Sequence, residues 1–127
     1  MKLEYVAEGS WDDDGPLIRL YDFTALEAAQ LHDALNALAS EAINRVDVHR
    51  LPFVEAVNGC RLTLVRRGWD QAVTRVPGTN LTSFECGFTP GAWGNVAGLV
   101  EPFTENAGGF QWLARSPGEA ALLLGES

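Results

Sequence analysis

The sequence predicts one α+β domain over residues 1–127, a mostly antiparallel β-sheet with two helices at about 24–40 and 90–103. Three observations carry that expectation. Thr24 and Glu27 have the spacing of a capping box ahead of a helical apolar stripe, and Thr89-Pro90 opens a second such stripe. The segments around them alternate apolar and polar residues with period two and are punctuated by Gly, Pro and Asn, so helices and strands are segregated along the chain instead of alternating one by one.

Leu3, Tyr5 and Ala7 alternate with Glu4 and Glu8, which predicts a first strand with one wet face. Asp12-Asp13-Asp14-Gly15 then suits a solvated turn, and Leu17 to Phe23 resumes an extended apolar run, so these two strands make a hairpin. The aspartates are consecutive, whereas a calcium-binding EF-hand loop alternates its ligands and closes on a distant glutamate.

At Thr24 the hydroxyl is placed to accept from the third helical N–H while Glu27 reaches back to the cap. Ala28, Leu31, Leu35, Leu38 and Ala42 follow at helical spacing, with Glu27, Gln30, Asp33 and Glu41 largely off that stripe. Val46 to Val57 reads as a strand bent near Pro52, because proline cannot donate to a ladder.

Asn58-Gly59 is the clearest turn. Both residues tolerate positive φ, which a two-residue type I′ hairpin requires, so Phe53–Val57 is expected to pair with Cys60–Arg66. Gly68-Trp69 is expected to close a second hairpin onto Gln71–Val76, which gives a three-stranded meander. Its apolar face would carry Phe53, Val57, Cys60, Leu62, Leu64 and Val73. After Pro77-Gly78-Thr79-Asn80, the alternation of Phe84, Cys86 and Phe88 predicts a further strand.

Thr89 is a good N-cap, and Pro90 at the first helical position loses no hydrogen bond. Trp93, Val96, Ala97, Val100 and Phe103 form the stripe of this second helix. Two closing strands, Phe110–Arg115 and Ala120–Leu124, flank Ser116-Pro117-Gly118. The last contains Leu122-Leu123-Leu124 and is apolar on both faces, so it belongs in a central or covered position.

A chain of 127 residues buries about two thirds of its unfolded surface, enough for a real core without disulfides or metals. Cys60 and Cys86 have neither zinc-pair nor redox-pair spacing and read as small core residues. The first residues carry no leader pattern and no apolar run approaches eighteen residues, so a cytoplasmic protein without membrane partners is expected. The net charge of −8 disfavours nonspecific contact with nucleic acid. That charge is uneven. Residues 45–75 hold six arginines against three carboxylates, a net +3, and the rest of the chain carries −11.

No nucleophile elbow, phosphate-binding loop or dinucleotide fingerprint occurs, and His32 and His49 belong to no close metal-binding pattern, so no catalytic residue, metal or cofactor is assigned. The most suggestive constellation is Arg66-Arg67-Gly68-Trp69 with Arg61 and Arg75. Guanidinium forks recognise carboxylate or phosphate, and an exposed tryptophan supplies a flat apolar contact. The same residues admit a structural reading, with Arg67 paired to Asp70, Arg75 near Glu55, and Trp69 folded against the sheet.

Gly91, Gly94 and Gly98 cluster opposite the stripe of the second helix and are candidates for a close interface, or simply for a weak helix held by its other face. These features favour a noncatalytic protein-interaction or regulatory domain. The alternatives are a protein or enzyme that holds a small anionic ligand on the arginines, with His49 or Glu55 for proton chemistry, and an assembly subunit that self-associates.

Overall fold

Thr24 caps the first helix as its sequence dictates. Its hydroxyl accepts from Glu27 N at 3.1 Å, and the Glu27 carboxylate accepts from Thr24 N at 2.9 Å. Helix α1 (Ala25–Ala39) then buries Ala28, Leu31, Leu35 and Leu38, each leucine worth about 2 kcal/mol of apolar burial. Glu27 also takes the Met1 ammonium on its second oxygen at 3.1 Å. The Thr24 backbone hydrogen bond, reinforced by that ammonium, holds the Glu27 carboxyl below the usual range. Ala42, expected at the end of the stripe, lies past the helix and is exposed, because the chain leaves the helix at Glu41 with φ of 67°.

The computed structural model describes residues 1–6, 17–76, 82–105, 108–114 and 120–125. The expected turns at Asp12–Gly15, Pro77–Asn80 and Ser116–Gly118 lie outside the described residues. Among those described, the fold is α+β, with two helices and nine strands in two mixed, mostly antiparallel sheets.

The first sheet runs β4-β1-β2-β9-β8, from β1 (Lys2–Val6), β2 (Leu17–Tyr21), β4 (Glu55–Ala56), β8 (Phe110–Ala114) and β9 (Ala121–Gly125). β1 and β2 pair antiparallel, as expected. β9 lies between β2 and β8 with every residue buried, the position its all-apolar sequence calls for. At its end, a Cβ on Gly125 would sit 2.7 Å from the Cβ of Phe110, so the close approach of β8 requires glycine there.

The second sheet runs β3-β5-β7-β6, from β3 (Arg45–Asp47), β5 (Arg61–Arg66), β6 (Gln71–Arg75) and β7 (Ser83–Phe88). The expected meander is not what forms. Asn58 and Gly59 do take positive φ, 52° and 71°, and Cys60 N donates to Val57 O across the turn at 3.1 Å. The strands on either side nevertheless part company. β4 adds to β1 in parallel, while β5 pairs with β3 antiparallel and β7 in parallel. β6 likewise pairs with β7 and not with β5. The turn residues dictate local dihedrals. They do not choose the ladder that each flanking strand joins.

Helix α2 (Pro90–Val100) starts where Thr89 Oγ1 accepts from Ala92 N at 3.3 Å. It buries Trp93, Val96, Ala97 and Val100, and Phe103 continues the stripe from a short 3-10 turn, Glu101–Glu105. Trp93 fixes the helix to the second sheet, since its indole N–H donates to Val65 O at 2.9 Å and its ring lies 4.9 Å from that of Phe88. One apolar cluster joins both helices to Leu3, Ile18 and Leu124 of the first sheet and Leu62, Phe84 and Cys86 of the second. The sheets meet where Tyr5 packs on Phe84 at 4.9 Å and Arg75 donates to the Tyr5 hydroxyl at 3.2 Å.

Candidate site on the second sheet

Period two separates the faces of the second sheet. Leu62, Leu64, Phe84 and Cys86 point into the core, so Arg61, Thr63, Ser83 and Glu85 fall on the opposite face in the register Arg61↔Ser83 and Thr63↔Glu85. β3 extends that face with Asp47 beside Thr63. Over its Arg61/Ser83 end lies an open cleft of about 200 Å³. Arg45, Asp47, His49 and Arg50 line one side, Arg61 and Thr63 the strand beneath, and Val76, Ser83 and Phe84 the remainder.

Asp47 and His49 are both held by neighbours. Asp47 Oδ1 accepts from Arg45 Nη2 at 2.8 Å and from the Thr63 hydroxyl at 2.9 Å. Burial pushes the Asp47 carboxyl up, but the hydrogen bonds from Arg45 and Thr63 outweigh it, so the carboxyl ionises below its ordinary value. His49 follows β3 on a 3-10 turn, Val48–Arg50, and its Nδ1 lies 3.2 Å from Leu62 N and 3.3 Å from Leu62 O. Arg61 N donates toward β7, to Thr82 O, so the backbone groups of Leu62 face the other way. The imidazole therefore takes over the edge of β5 where β3 has ended.

Arg50 and Arg61 differ from this. Both are exposed, and among the described residues neither guanidinium makes a hydrogen bond or ion pair. With Arg45 matched by Asp47, the cleft keeps two positive charges with no ion-pair partner among the described residues, in a protein of net charge −8.

Among the five candidates Arg61, Arg66, Arg67, Trp69 and Arg75, only Arg61 lines the cleft. Arg66 donates to Ile43 O at 3.1 Å and Asn44 Oδ1 at 2.7 Å, which ties β5 to the loop after α1. Arg67 lies along Gly87 and pairs with Glu85, not with Asp70. Asp70 instead accepts from Thr89 N at 2.9 Å and Thr89 Oγ1 at 3.0 Å, steadying the start of α2. Arg75 lies over the rings of Tyr5 and Phe84 between the sheets, and Trp69 is 61% exposed with the Arg67 guanidinium 5.8 Å from its ring.

Gly91 and Gly98 face open space, and a Cβ on Gly94 would come only within ordinary contact of Ala39, 3.8 Å from its Cβ. Cys60 and Cys86 are free and buried, and burial pushes both thiols up to about 12, far from any nucleophilic role at neutral pH. Among the described residues no three His, Cys, Asp or Glu side chains are grouped to hold a metal ion, and no helix is long and apolar enough to cross a membrane.

Arg61 and His49 stand out in the sequence, but Arg45 and Arg50 do not stand out as their partners. The six-arginine stretch is the available signal. Which of the six share a surface depends on β3 pairing with β5, and the Asn58-Gly59 turn points to a different partner. Compared with protein-family models, curated proteins and solved structures, the chain matches none.

Proposed function

We propose that this chain is a noncatalytic binding domain whose cleft on the second sheet takes an anionic group. The observation that carries the reading is the pair Arg50 and Arg61, two guanidinium groups on one cleft with no carboxylate committed to either among the described residues. Guanidinium is weakly hydrated and presents a planar fork of donors, so it exchanges water for carboxylate or phosphate oxygens at small desolvation cost. Binding is favoured over turnover because the carboxylate lining the cleft is already engaged, held as an anion by Arg45 and Thr63.

The test is a nitrogen-edited NMR titration with sulfate, phosphate, acetate and succinate at constant ionic strength. The reading expects saturable shifts centred on 45–50, 61–63 and 83–84, abolished in Arg50→Gln/Arg61→Gln. Shifts that never saturate, or that scatter over the acidic surface, would overturn it.

A second reading rests on Trp69. Tryptophan and arginine are both enriched among the residues that dominate protein contacts, and here an exposed Trp69 projects beside Arg67 from the turn between β5 and β6. If that corner mediates self-association, light scattering at high micromolar concentration gives a mass above 13.8 kDa that returns to the monomer in Trp69→Ser. A monomeric wild type would remove it.

A further inference from the structure

The cleft also constrains which anion it suits. Resting on the binding reading above, we infer that its ligand is a phosphomonoester, bound as the dianion by Arg50 and Arg61. Charge favours a dianion. Among the described residues Arg45, Arg50 and Arg61 bring three positive charges and Asp47 removes one, which leaves two to be matched. A carboxylate supplies one negative charge, whereas a phosphomonoester supplies about 1.5 to 2 at neutral pH on a single group.

The hydrogen bonds left on offer favour the same ligand. Among the described residues the one carboxylate lining the cleft already accepts from Arg45 and Thr63, and the Thr63 hydroxyl directs its proton to that carboxylate. What remains is dominated by guanidinium N–H groups, about ten of them on Arg50 and Arg61 at five per guanidinium. Three terminal phosphate oxygens can accept from two forks at once, one oxygen more than a carboxylate offers. A donor-rich, acceptor-poor cleft discriminates against sugars and neutral amides, which need acceptors as well.

Size narrows the choice further. An open cleft of about 200 Å³ has room for a phosphate group and a few attached atoms, so recognition is of the phosphorylated end of a molecule that projects outward. The remainder of the molecule, whether a metabolite or a phosphorylated side chain, is left in solvent by an open cleft.

The experiment uses the full chain and calorimetry at constant ionic strength, with inorganic phosphate, glycerol phosphate, a phosphoserine peptide, methyl sulfate, acetate and succinate as probes. Both phosphomonoesters are expected to bind at least about tenfold more tightly than methyl sulfate or acetate, the loss that follows from removing one charge-assisted contact. Arg50→Gln and Arg61→Gln should each weaken them by about tenfold, whereas Arg66→Gln, which removes the same charge away from the cleft, should not. Unchanged thermal midpoints show that the variants are folded. If glycerol phosphate and the phosphopeptide bind alike, the phosphate end is the ligand, and a preference of more than about tenfold for one identifies its source. Equal affinity for succinate or acetate overturns the phosphomonoester inference while leaving anion binding intact. No binding of any anion overturns both.

Discussion

The two ends of the β5–β7 strand pair carry arginines on the same sheet, and the sequence treats them differently. At one end Arg67 lies across Gly87 onto Glu85, with Trp69 alongside. At the other, Arg61 sits opposite Ser83 and shares a cleft with Arg50, and neither guanidinium has an anionic partner among the described residues. Glycine, glutamate and arginine at matched register make the first end part of the structure. A small residue opposite Arg61, with no acid in register, makes the second a place for something else. Arginine count alone does not separate them.

The contrast is broken most severely at Gly87. A Cβ there would run into the Cγ, Cδ and Nε atoms of Arg67, so Gly87→Val should lower the unfolding free energy by about 1–2 kcal/mol in urea denaturation. Combining Gly87→Ala with Arg67→Ala should recover much of the loss of Gly87→Ala alone, because the collision is removed. A Gly87→Val protein as stable as wild type would mean that Arg67 does not hold this position.

Within the cleft, Asp47→Asn should cost about 0.5–1 kcal/mol at neutral pH, screened as its contacts are by solvent. The Asp47 carboxyl ionises below its ordinary value in the folded chain, so its contribution is fully present above the unfolded pKa of about 3.9 and is lost as pH falls through the lower, folded one. The stability curves of the wild type and the Asp47→Asn variant against pH should therefore converge in acid. Curves that stay parallel well below a pH of about 3.9 would exclude this role.

Smaller again is Glu85→Gln, about 0.5 kcal/mol, because both partners of the Arg67 pair are about one third exposed. Raising salt should shrink it further, which chemical denaturation at two ionic strengths will reveal. Smallest of all are Arg50→Gln and Arg61→Gln, expected to change stability by less than about 0.5 kcal/mol in the absence of ligand, since these side chains have no partner to lose among the described residues. A larger loss at either position would make the cleft end as structural as the Arg67 end.

Much of the fold was legible because it rests on local chemistry. The Thr24–Glu27 box and the Leu31, Leu35 and Leu38 stripe mark the position and buried face of α1 in the local sequence, as Thr89-Pro90 and Trp93 to Val100 do for α2. Asn58-Gly59 fixed a positive-φ turn, and Leu122-Leu123-Leu124 fixed a strand covered on both sides. The alternation in Arg61 to Arg66 told which side chains of β5 face the core.

Only the tertiary structure decided the neighbours. Backbone N–H and C=O groups make the ladders, and they are the same at nearly every residue, so period two identifies a strand's faces without identifying its partner. That is why Asn58-Gly59 forms its turn while the strands on either side join different ladders. It is also why Arg45, Arg50 and Arg61 became one cleft only once β3 had paired with β5 and β7 had come between β5 and β6, leaving Arg66 and Arg67 to their own partners.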